Sequence, residues 1–92
     1  MVGKFIFEKS SSTYIKKSRS VRVLGHTTSI SLENKYWEIL DEISRKENMS
    51  RGMIISKIYQ EAIDNDVEIN NFSSILRTVC VIYLESNQKK SV

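Results

Sequence analysis

Residues 25–33 read Gly25-His26-Thr27-Thr28-Ser29-Ile30-Ser31-Leu32-Glu33, and their side chains alternate in character. Successive side chains of an extended chain point to opposite faces. Thr28, Ile30 and Leu32 therefore share one face, and Thr27, Ser29 and Ser31 share the other. Ile30 and Leu32 are expected to be buried, which leaves a row of small hydroxyls facing out. The β-branched, alternating pattern reaches back to Arg19, so residues 19–32 are read as extended, with Gly25 marking a bend or bulge.

The period changes immediately afterwards. Tyr36, Trp37, Leu40 and Ile43 recur at helical spacing, which predicts a first helix over residues 33–47, with Ile39 widening its apolar stripe. Glu33 lies in its first turn and Arg45 and Lys46 in its last, as the helix dipole favours, and Asn48 is the expected stop. Ser50 is the expected N-cap of a second helix running to about residue 65, with Ile54, Ile55, Ile58 and Ala62 on its apolar face. The connection Asn48-Met49-Ser50 is so short that the two helices must form a tight hairpin. A polar, acidic stretch over residues 66–70 separates them from a third helix, expected over residues 72–87 and capped by Asn70 or Asn71. Its face is Phe72, Ile75, Leu76, Val79 and Tyr83.

The order strand, helix, helix, helix makes the chain mainly α. A lone strand leaves backbone donors and acceptors unpaired. The strand is therefore expected to pair with its copy in a second chain, giving a homodimer with an intermolecular two-stranded antiparallel ribbon. Phe5–Phe7 is the alternative internal partner. Ile30, Leu32, Trp37, Leu40, Ile54 and Ile58 are the expected dimer core.

Composition excludes several classes. The chain has 92 residues, 40% of them hydrophobic and 27% charged, with no proline, which describes one small globular domain. No apolar run approaches the ~18 residues of a membrane span, and the N-terminal residues lack the apolar core of a secretory signal. A single cysteine, Cys80, fits a reducing cytoplasm and is read as a buried small hydrophobe. One histidine and one cysteine leave little for a zinc site or a Cys–His pair, and no Gly-rich phosphate loop, HExxH or CxxC is present. Asp64, Asp66 and Glu68 lack EF-hand spacing and read as a solvated connection. No enzyme activity, metal or cofactor is expected.

Charge is uneven. Residues 1–25 carry six basic side chains against Glu8 alone, a charge of +5, whereas residues 26–92 carry eight basic and ten acidic ones, a charge of −2. Residues 1–18 are thus read as a basic arm, residues 19–87 as the folded domain and residues 88–92 as a tail. A basic arm on a near-neutral body is a footprint for a polyanion.

Residues 27–64 resemble the ribbon-helix-helix DNA-binding domains of the Arc and MetJ type. The resemblance rests on the alternating strand, on Trp37, Leu40 and Ile43, on Ser50 opening the second helix, and on Ile54 or Ile55 and Ile58 after it. A closer likeness covers about two thirds of the chain. It is to a bacterial variant with GHxTSxSLE, an aromatic pair, and a later SSxLR helix, here Gly25 to Glu33, Tyr36-Trp37, and Ser73-Ser74-Ile75-Leu76-Arg77. The resemblance implies sequence-specific binding of double-stranded DNA by a dimer whose ribbon enters the major groove. Thr27, Ser29 and Ser31 would meet base edges, and Ser50, Arg51 and Gly52 at a helix N-terminus would hold phosphates. Family strands often carry a long polar or basic residue among the reading positions, and this one carries only hydroxyls there. Lys16, Lys17, Arg19 and Arg22 of the arm are therefore expected to supply affinity through phosphates.

The implied role is transcription control by repression, in the cytoplasm at the nucleoid, with dimers able to assemble further on DNA. The alternative is an antitoxin whose third helix holds a protein partner. A purely structural interaction module is the third reading, and RNA is disfavoured because no exposed aromatic platform is evident. Tyr36 and Trp37 are read as core rather than stacking residues, and His26 as a turn or packing residue. Arg77 binds phosphate or pairs with Glu33 or an acid of residues 64–68, with the structural role preferred.

Overall fold

The chain reverses at Leu24-Gly25, and this reversal shapes everything upstream of the helices. The computed structural model describes residues 14–90, with side chains through Asn87. Most of the basic arm expected over residues 1–18 lies outside the described residues.

Strand β1 (Lys16–Val23) and strand β2 (His26–Glu33) form an antiparallel two-stranded sheet. Leu24 and Gly25 both have positive φ, 50° and 86°, as a type I′ hairpin turn requires. β2 is therefore not the lone strand expected from the sequence, because it has a partner in its own chain. Residues 16–23 of the same chain are the partner of β2, and Phe5–Phe7 lies outside the described residues. β1 also begins at Lys16, inside the stretch read as the arm, so a truncation that removes only an arm must stop before it.

Helices α1 (Asn34–Glu47), α2 (Arg51–Asp64) and α3 (Phe72–Lys90) follow. α1 ends where Asn48 adopts the left-handed conformation, φ 56°, and Met49 N–H donates to the Ser44 carbonyl at 3.0 Å. α2 starts on Ser50, whose hydroxyl accepts from Met53 N–H at 3.2 Å. Asn71 caps α3 in the same way, its side-chain oxygen accepting from Ser74 N–H at 3.3 Å.

The core joins all five elements. Val21 and Val23 from β1, Ile30 and Leu32 from β2, Trp37, Ile39 and Leu40 from α1, Ile55 from α2, and Leu76 and Cys80 from α3 form one buried cluster. Ile54 is buried and Ile58 packs against the cluster. Of the residues expected in the dimer core, Ile30, Leu32, Trp37 and Leu40 belong to this cluster of one chain. Full burial of a side chain such as Leu32, Leu40 or Leu76 contributes about 1.5–3 kcal/mol. α3 is integral to this core, and Tyr59 of α2 meets Phe72 of α3 edge to face at 5.2 Å.

Candidate nucleic-acid interface

The hairpin register sorts its side chains onto two faces. Val21, Val23, Ile30 and Leu32 lie inward, and their cross-strand partners Thr28, His26, Arg19 and Lys17 share that face. The outward face consists of four pairs: Lys16–Glu33, Ser18–Ser31, Ser20–Ser29 and Arg22–Thr27. A two-residue turn makes Val23–His26 a hydrogen-bonded pair, so the alternating outward pairs are the non-hydrogen-bonded ones, whose side chains stand closest. Thr27, Ser29 and Ser31 do face away from the core, as the alternation predicts, with a second row from β1 beside them.

The four basic residues read as phosphate contacts separate. Lys16 and Arg22 lie on the outward face, at opposite ends. Lys17 and Arg19 lie on the inward one. The Lys17 carbonyl accepts the Trp37 indole N–H at 2.8 Å, and the Arg19 guanidinium sits 5.5 Å from the Trp37 ring centre. Lys16 stands opposite Glu33, which Arg77 holds with a 3.0 Å hydrogen bond from Nε and a longer one at 3.4 Å. Burial raises the Glu33 pKa, but its backbone N–H, Arg77 and the nearby Lys16 charge outweigh it, so the net shift is downward. Arg77 thus has the structural partner preferred from the sequence.

At the start of α2, Ser50 and Gly52 adjoin the hairpin turn. An added Cβ at Gly52 would sit 3.8 Å from the Arg22 carbonyl, in ordinary contact. The Ser56 hydroxyl donates to that carbonyl at 3.2 Å and accepts from Leu24 N–H at 3.4 Å, so α2 grips the turn. The first amides of any helix have no intrahelical acceptor, and those of Arg51 and Gly52 open α2. The Arg51 side chain is engaged elsewhere. It binds Asp41 through two hydrogen bonds, 2.6 and 2.8 Å, and lies 5.3 Å from the Trp37 ring centre. Trp37 therefore carries two guanidinium groups and is 2% exposed, a core role rather than a base-stacking one.

The Arg51 hydrogen bonds lower the Asp41 pKa against partial burial, with further help from the Arg51, Arg19 and Arg45 charges. A carboxyl lowered in the folded state contributes stability above its unfolded pKa and loses it as pH falls through the folded one. Stability from this pair should therefore fade below about pH 4. Asp41→Asn should cost about 1 kcal/mol at pH 7, a figure kept small because the pair is partly solvated. Thermal melts should then show a smaller acid-induced loss in the variant than in the wild type, and equal losses would contradict this assignment.

His26 is exposed at the start of β2. Cys80 is buried, with its thiol pushed up to about 11 by that burial, which makes it an unreactive packing residue. Among the described residues no cluster of candidate metal ligands occurs, and no helix is long and apolar enough to cross a membrane.

A strand with a polar outer face, running directly into two helices joined by a tight turn, is the element order of the ribbon-helix-helix class; β2, α1 and α2 follow it here, with β1 preceding them. A family model of the ribbon-helix-helix domain matches residues 16–84, and the chain belongs to that family. Membership implies a DNA-binding regulator or an antitoxin, on a fold that is non-enzymatic. Among solved structures, an uncharacterized protein from Bordetella pertussis Tohama I matches with a TM-score of 0.87 and 27% identity, over 99% of this chain and 73% of that one. No curated protein matches.

Proposed function

We propose that this protein binds double-stranded DNA through the outward face of its β-hairpin, as a homodimer in which each chain brings its own hairpin. It regulates transcription in the cytoplasm, at the nucleoid, as a repressor that occupies a promoter and needs no catalytic group. The observation that carries the reading is the outward face itself. Six residues, Ser18, Ser20, Arg22, Thr27, Ser29 and Ser31, present short polar or cationic side chains on a ribbon of groove-compatible width. The opening amides of α2, next to the turn, would hold a flanking phosphate. A third and fourth strand from a partner would spread the sheet over about 14 Å of strand spacing, more than the ~12 Å major groove admits. The two chains of the dimer are accordingly expected to join away from the ribbon and to read two half-sites.

Fluorescence anisotropy of a labelled random-sequence duplex, at roughly 50 and 200 mM salt, tests the reading. Binding that weakens steeply with salt is expected, and absence of binding at both salts would refute it.

One observation favours a second reading, an antitoxin that holds a protein through α3. Val81 and Leu84 of α3 line an apolar groove with Tyr14, Tyr36 and Ile39. Under that reading the groove takes an apolar segment of the partner, and mutating Val81 would release the partner without changing DNA affinity.

A further inference from the structure

The β2 hydroxyls alone discriminate bases weakly, since a hydroxyl hydrogen-bonds to any of them. The register puts a longer, cationic side chain on the same face of the other strand. Arg22 stands directly across from Thr27, in a pair that points outward and whose Cβ atoms lie about 4.5–5.5 Å apart. We propose that Arg22 of β1 is a base-reading, specificity-determining residue, whose guanidinium takes the O6 and N7 acceptors of a guanine in the major groove. The proposal rests on the DNA-binding reading above and names the residue that gives it sequence preference.

Three features separate Arg22 from the other cations of the hairpin. Lys17 and Arg19 share the inward face, and Arg19 is held against Trp37. Lys16 is outward but stands opposite the Glu33 carboxylate, which its charge already helps to stabilise. Arg22 is exposed, and its outward neighbours Ser20, Thr27 and Ser29 are all neutral. Its backbone, in contrast, is fixed. Ser56 holds the Arg22 carbonyl, and Gly52 of α2 lies against the same atom. A reading side chain works best on such a rigid base. The same contact ties the position of Arg22 to the α2 amides, so a phosphate held there would set the base step that Arg22 meets.

The guanidinium also suits the task better than the alternatives. Its planar fork matches the paired acceptors of guanine, which an ammonium cannot do with two parallel bonds. Thr27 beside it offers a methyl for a neighbouring thymine or a hydroxyl for either base.

Selection of binding sites from a randomised duplex pool, run in parallel on the wild type, Arg22→Ala and Arg22→Lys, tests the proposal. The wild type should enrich a motif with a fixed guanine. Both variants should keep the rest of the motif and lose preference at that position, with affinity for the wild-type sequence falling about 10- to 100-fold. Arg22→Lys should do so with an unchanged salt slope, because its charge is retained. If both variants keep the guanine and Arg22→Ala merely weakens all duplexes alike with a shallower salt slope, Arg22 is a phosphate contact and the proposal fails. If the wild type binds no duplex at all, the DNA-binding reading fails and takes this one with it.

Discussion

Leu40→Asp is expected to leave the chain unfolded at every protein concentration. Leu40 is fully buried on α1 and belongs to the cluster formed by all five elements of a single chain. The substitution forfeits about 1.5–3 kcal/mol of apolar burial. It also places a carboxylate, or a protonated acid without a partner, in that interior, at a cost of several kcal/mol more. Native domains hold only about 5–15 kcal/mol in total, and short chains sit low in that range. The distinction from a shared dimer core is direct. A charge in a core built between chains is relieved by separation, which leaves folded monomers. A charge in a core built within one chain is not. Circular dichroism across a wide concentration range should show the helical signal lost throughout, and a folded monomer would contradict the single-chain core.

Trp37→Ala has the next largest expected effect. The ring is 2% exposed, and truncating a buried aromatic of this size costs about 3–5 kcal/mol. Here the loss extends beyond the cavity. The Lys17 carbonyl loses its 2.8 Å indole donor, and the guanidinium groups of Arg19 and Arg51 lose the ring between β1 and α2. For a domain of this size each kcal/mol moves Tm by about 4–8 °C, so a fall of roughly 15–30 °C is expected. Trp37→Phe keeps a π-face and most of the volume while removing the indole donor, and should cost much less. A Trp37→Ala melt within a few degrees of wild type would show that the ring does not hold the hairpin to the helices.

Much of this architecture is legible in the sequence because it rests on local rules. The helix stripes around Trp37 and Leu40, Ile54 and Ile55, and Leu76 and Cys80 follow from periodicity, and Asn48, Ser50 and Asn71 act at helix ends as their side-chain chemistry dictates. The outward direction of Thr27, Ser29 and Ser31 follows from alternation alone. The hairpin was harder to read. Its turn is Leu24-Gly25 rather than Asn-Gly, and a leucine at φ 50° is an unusual choice for a left-handed position. The available signal was Val21 and Val23, which alternate on the near side of Gly25 as Ile30 and Leu32 do beyond it.

The fates of the cations were less legible still. Arg51 is correctly placed at a helix start, but its side chain turns to Asp41, ten residues earlier on α1. Arg19 and Arg22 look alike in a basic stretch, yet their parity in β1 sends one to Trp37 and the other outward. Net charge counts such residues equally, whereas register decides which of them a ligand meets.

The outward face of the hairpin is the proposed DNA-binding surface. An NMR titration of amide-labelled protein with duplex DNA tests it most directly. Shifts are expected to concentrate at Ser18, Ser20, Arg22, Thr27, Ser29 and Ser31 and at the opening amides of α2, with α3 largely unmoved. Shifts confined to α3, with the hairpin silent, would contradict it.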